Sequence, residues 1–105
     1  MSSFNEREQS FERKYQNDQE FAFKVKSRRN KIAARWAAAL LGKQGAAADD
    51  YVASVVVAEL GKQSEANVLA KLTTDLAAAG VDRHRVAVEL EEALRQAKIE
   101  LGAPK

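Results

Sequence analysis

Between Phe4 and Lys24 the chain reads FNEREQSFERKYQNDQEFAFK, a charged and amide-rich run interrupted by large aromatic residues. Phe4, Phe11 and Tyr15 stand seven and four residues apart. At about 100° per residue they fall within one narrow stripe, flanked by Glu, Arg, Lys, Gln and Asn. An apolar face that thin cannot sit in a core. Farther along, the pattern widens. Phe21, Val25, Ile32, Trp36 and Leu40 recur at spacings of three to four or their sums, and Val52, Val55, Val56 and Leu60 do the same. Val68, Leu69, Leu72, Leu76 and Ala79 make a third face, and Val86, Leu90, Leu94, Ala97 and Leu101 a fourth.

The punctuation agrees with four helices. The only proline is Pro104, so nothing interrupts a helix in the body of the chain. Gly42, Gly45, Gly61, Gly80 and Gly102 each follow a helical pattern, where a left-handed residue closes the last turn. Ser3 with Glu6 has the spacing of a capping box, while Asp49, Asp50, Ser64 and Asp82 stand where helices should begin. The pattern predicts helices over about 4–41, 49–60, 65–79 and 82–101. Short connections favour antiparallel neighbours, and the abundant alanines permit close approach. The expected fold is all-α: a small antiparallel four-helix bundle over residues 19–105, preceded by a mobile N-terminal segment, residues 1–18, that is helical when bound. Trp36 is expected as a core anchor, and Tyr51 as a packing residue with its hydroxyl in water.

The separation at residue 18 has an energetic basis. An isolated helix of about 15 residues is marginal in water, and ordering it costs about 1–2 kcal/mol per residue before hydrogen bonds count. Phe4, Phe11 and Tyr15 would recover several kcal/mol if a groove covered them, at about 25 cal/mol per Å². The segment is therefore expected to be partly disordered alone and helical when a partner covers its stripe. The alternative is that the stripe folds back on its own bundle.

Charge sharpens this picture more than its total does. The net charge is +2 over 105 residues, but residues 1–20 carry −2, residues 21–48 carry +7 and the remainder −3. Lys24, Lys26, Arg28, Arg29, Lys31, Arg35 and Lys43 make up the basic block, with no acid among them. Such a block can hold phosphates of a nucleotide or contact an acidic partner. It lies on a helix that also carries a buried stripe and comes without a nucleic-acid motif or stacking platform, so nucleic acid is not expected.

The residues that chemistry needs are scarce. There is no Cys, which removes disulfides and thiolate metal sites and suits an intracellular setting, and the start of the chain has no signal-like apolar run. His84 is the single histidine, between Arg83 and Arg85 on a polar first turn, and reads as solvated. The glycines are isolated helix stops rather than a phosphate loop. Glu89, Glu91, Glu92 and Asp75 read as an acidic face rather than a catalytic pair. No enzyme is expected, and no catalytic residue or metal site.

One family shares these features in this order. The chain runs Phe4-x-x-Arg7-Glu8-x-x-Phe11-Glu12-x-Lys14-Tyr15-x-x-Asp18-x-Glu20, then Phe23-Lys24, Arg28-Arg29-Asn30-Lys31, Trp36-Ala37-Ala38, Leu41-Gly42 and Lys71-Leu72-x-x-Asp75-Leu76-Ala77-Ala78-Ala79-Gly80. In this it resembles the small ζ subunit that inhibits α-proteobacterial F1-type ATPases. The resemblance implies a four-helix bundle whose N-terminal segment enters an interface of the F1 head and blocks ATP hydrolysis. By that resemblance Phe4, Phe11 and Tyr15 would be apolar anchors, and Arg7, Glu8, Glu12 and Lys14 polar contacts, with Asp18 at the end of the same segment. The partner would be the F1 head with its alpha, beta and gamma subunits. The location would be cytoplasmic, peripheral to the inner membrane through F1, with no required cofactor. The alternative function is a nucleotide-binding regulatory module in which Lys24, Arg28, Arg29 and Lys31 hold ATP or ADP weakly, with little or no inhibition.

Overall fold

A computed structural model describes the backbone of residues 3–60 and 63–102, and the side chains of residues 19–60, 63 and 65–102. Four helices follow one another: α1 (Ser3–Leu40), α2 (Ala46–Ala58), α3 (Ser64–Leu76) and α4 (Arg83–Leu101), with a 3-10 turn over Ala77–Ala79 after α3. No strand occurs among the described residues. The valine run at 55–57 is helical, as its neighbours require. No helix is long and apolar enough to cross a membrane among the described residues.

Helix ends follow the glycines in part. At the end of α1, Lys43 N–H donates to Ala38 O at 2.9 Å and Gly42 N–H to Ala39 O at 3.1 Å, with Gly42 at φ 74°. This paired closure satisfies carbonyls that the helix leaves open, and its left-handed residue favours glycine. Gly80 closes α3 the same way, with Val81 N–H reaching Leu76 O at 3.2 Å. Gly45 differs from expectation, because it precedes α2 rather than ending a helix. Ala46, Ala47 and Ala48 are strong helix formers and add a turn, so Asp49 falls inside the first turn and is not the cap. Likewise Ser64 is the first helical residue of α3, and Gln63 stands before it. Asp82 does cap α4, its Oδ1 accepting from Arg85 N–H at 2.9 Å. Gly61 and the side chains of Ser3 and Glu6 lie outside the described residues.

The core is asymmetric. Helix α1 contributes Ala33, Ala34, Ala37 and Ala38, all at most 1% exposed, while Val25, also buried, lies about two turns before them. Facing them are Val55, Val68, Leu72, Leu76 and Val86, the largest fully buried side chains. Small residues on one helix let the backbones approach, while leucine and valine from the others fill the space between. The apolar stripe expected on α1 is therefore displaced. Ile32 and Trp36 are half-buried at the rim and pack against this cluster rather than forming it. Trp36 lines a shallow cavity with Ile32, Glu89, Glu92 and Gln96, between α1 and α4. A large indole does not fit where alanines set the helix separation. Leu40, Leu60 and Leu101 are exposed, since their helices end there with no neighbour over them. Ala79 is exposed because the 3-10 turn carries it off the face of α3.

Tyr51 also departs from expectation. Its ring is buried and its hydroxyl donates to Asp75 Oδ2 at 2.8 Å. Lys71 Nζ donates to the same oxygen at 3.0 Å and stands 5.3 Å from the ring centroid. The hydroxyl is thus held by a carboxylate instead of water. Burial first, then the bond to Asp75, push the phenol well above its ordinary pKa.

Candidate functional site

The register of the bundle shows how far α1 outruns its neighbours. Arg28 makes a two-point ion pair with Glu100, Nε to Oε2 at 2.6 Å and Nη2 to Oε1 at 3.2 Å. Asn30 Nδ2 donates to Glu59 Oε2 at 2.6 Å, and Ser27 Oγ to Glu59 Oε1 at 3.4 Å. The last turns of α2 and α4 therefore lie level with residues 27–30 of α1. Helix α1 nevertheless begins at Ser3. At about 1.5 Å per residue, its 38 residues span about 57 Å, against about 28 Å for the 19 residues of α4. Some twenty residues of helix, or about 30 Å, lead out beyond the ends of α2 and α4.

This projecting half carries every expected partner contact. Phe4, Arg7, Glu8, Phe11, Glu12, Lys14, Tyr15 and Asp18 belong to the continuous backbone of α1. Their side chains lie outside the described ones. Helical geometry puts Phe4, Phe11 and Tyr15 within about 40° of one another around the axis and about 16 Å apart end to end. No glycine or proline interrupts α1 from Ser3 to Leu40. The stripe and the bundle thus belong to one helix.

The basic block is dispersed among partners. Arg28 engages Glu100 on α4, while Arg29 Nη1 engages Glu65 on α3 at 3.1 Å. Arg29 Nε also donates to Asn30 Oδ1 at 3.1 Å. Lys26 stands 3.7 Å from Glu65, and Arg35 3.6 Å from Asp49. Lys24 and Lys31 are exposed. The hydrogen bond from Arg28 holds the Glu100 carboxyl below its usual range, and Arg29 does the same for Glu65. Arg28, Arg29 and Lys31 are not gathered around one point. The acids that answer the basic block come from the net-negative remainder of the chain, so the charge asymmetry of the sequence is largely a pairing between α1 and its neighbours.

Sequence reasoning missed two residues that organise this region. Asn30 is 3% exposed and links α1 to the end of α2 through Glu59. A buried amide needs partners, and here both its donor and its acceptor are used. Nothing in the spacing of Asn30 and Glu59 announces the contact, although Asn30 lies within the Arg28-Arg29-Asn30-Lys31 run. The Lys71–Asp75 pair, by contrast, is legible as an i,i+4 pair. His84 is exposed. Among the described residues no group of three or more His, Cys, Asp or Glu side chains could hold a metal ion.

A search of curated proteins and a search of solved structures each return no match. The family described as ATPase inhibitor subunit zeta matches residues 1–100, nearly the whole chain, helical extension and bundle alike. The chain therefore belongs to the zeta family of ATPase inhibitor subunits, which act as regulators and not as enzymes.

Proposed function

We propose that the projecting half of α1 is the inhibitory element and that it works by entering an interface between subunits of the F1 head. Phe4, Phe11 and Tyr15 anchor its apolar stripe in the cleft, and Arg7, Glu8, Glu12, Lys14 and Asp18 meet the polar walls. With the cleft filled, the rotation that accompanies ATP hydrolysis is blocked. In this reading helix formation over residues 1–18 is completed by the partner, which supplies the apolar cover that the segment itself lacks. The bundle of residues 19–105 stays outside and holds the segment near its cleft at high effective concentration. The inhibitor is then cytoplasmic, peripheral to the inner membrane through the F1 head.

One observation carries the reading: a helix with an aromatic stripe continues for about 30 Å past the end of the bundle that would otherwise bury it. Removing residues 1–18 is expected to leave a folded bundle that no longer inhibits ATP hydrolysis by the purified F1 head. Retained inhibition would sink the mechanism. The double change Phe11→Ala, Tyr15→Ala is expected to weaken inhibition by up to several kcal/mol, with the melting temperature of the bundle unchanged.

A further inference from the structure

Six large apolar side chains are exposed among the described residues: Phe23, Leu40, Val57, Leu60, Ile99 and Leu101. Their placement is uneven. Leu40 alone belongs to the end where α1 turns into α2. The contacts of Arg28 with Glu100 and of Asn30 with Glu59 put Phe23, Leu60 and Leu101 at the other end, where α1 runs out toward its aromatic stripe. Ile99 stands at the same end on the outer side of α4, and Val57 one turn back on α2. Phe23 and Leu60, 72% and 67% exposed, line one cavity of about 80 Å³ floored by Ser27 and Asn30. Large apolar residues gathered at one end of a small bundle mark a contact surface, since singly scattered ones would be unremarkable.

Charges of both signs border this end, where Glu20 is exposed on α1 one turn before Phe23. Lys24, Lys26 and Lys98 are exposed there. Glu65 and Glu100 are held by Arg29 and Arg28, and Glu59 by Asn30. The surface that fits it is apolar in the middle and polar at its border. Phe23 lies eight residues from Tyr15 on the same helix, about 12 Å along its axis. Whatever covers Tyr15 therefore brings its outer rim to this end of the bundle.

We propose that Phe23, Leu60 and Leu101, flanked by Ile99, form an apolar collar at the root of the projecting helix, and that it docks on the outer rim of the same ATPase head. The proposal rests on the entry of the N-terminal segment, because that entry is what presses the collar against the head. The stripe stops the motor, and the collar sets how long the inhibitor stays. Two contacts joined by one stiff helix reinforce each other without a flexible linker between them.

The test uses the full chain and the purified head. Phe23→Ser with Leu60→Ser, and separately Ile99→Ser, are compared with Leu40→Ser at the far end and with Phe11→Ala, Tyr15→Ala in the stripe. Half-inhibitory concentration, maximal inhibition and the release rate of labelled inhibitor are measured. The collar double variant is expected to need about tenfold more protein for half inhibition and to leave faster, with full inhibition still reached at saturation. Leu40→Ser should match the parent. Since the altered collar positions are exposed, helical content and melting should stay at the parental values. Parental half-inhibitory concentration in both collar variants, with the stripe variant weakened, overturns the collar and leaves segment entry standing. A stripe variant as potent as the parent overturns segment entry, and the collar with it.

Discussion

The two halves of α1 share one helical period and fill it by opposite rules. From Val25 to Ala38 the buried positions are mostly alanine, each nearly inaccessible to solvent. From Phe4 to Tyr15 the corresponding stripe is aromatic and everything beside it is polar. Small residues belong where neighbouring helices of the same chain come within close packing distance and supply the bulk themselves. Large residues on a thin stripe belong where the neighbour is a groove, and each side chain must reach into it. The size of the apolar residue, more than its spacing, separates the half of α1 that packs in the chain's own core from the half that, in the proposed function, enters a groove on its partner.

The comparison can be broken most forcefully in the alanine half. Ala37→Leu adds bulk where the side chain is fully buried and is expected to cost about 1–3 kcal/mol of stability. Denaturant unfolding measures this, and the same protein should still inhibit fully at temperatures where it is folded. A leucine accepted at no cost would mean that α1 and its neighbours are not closely packed there. Asn30→Ala comes next. It strips Glu59 of its shortest partner at the junction of the two halves, and about 1–3 kcal/mol is the expected loss by the same measurement.

Away from α1 the effects shrink. Tyr51→Phe removes the hydroxyl bond to Asp75 and is expected to cost about 0.5–1.5 kcal/mol at neutral pH. Its pH dependence is more telling. The folded state holds the phenol protonated beyond its ordinary pKa of 10.0, so this contribution is complete below pH 10 and is lost as the pH rises past that value. Alkaline unfolding should come at higher pH in Tyr51→Phe than in the parent, relative to the neutral stability of each. The smallest effect belongs to Glu65. Its carboxyl is held below the ordinary value of 4.5 by Arg29, so the contact is intact above that pH and is lost as the pH falls through the lowered value. The pair is partly exposed, and Glu65→Gln should change stability by no more than about 1 kcal/mol, flattening the acid limb of a pH–stability curve.

Much of the fold is legible in the order of residues. Isolated glycines, the Asp82 cap and the apolar periods place all four helices to within a few residues. The core is less legible, because hydrophobicity counts favour Ile32, Trp36 and Leu40, whereas packing distance favours the alanines between them. Gly45 shows a similar limit, since a glycine beside a helix suits either end and only the alanines after it decide. The candidate site divides likewise. The aromatic stripe is visible because it violates the composition around it. The Asn30–Glu59 link is not, because it joins residues on different helices with no shared period.

The absence of any glycine or proline between Ser3 and Leu40 has one more consequence. An unbroken helix converts a count of residues into an angle, so the orientation of the bundle about the axis is phased to the aromatic stripe. One alanine inserted near Ala22 would advance the bundle by about 1.5 Å and turn it by about 100° relative to the stripe. The same length of chain on a glycine hinge would turn freely and lose that phase. Stripe and bundle are cut from one blade, and neither can be turned without the other.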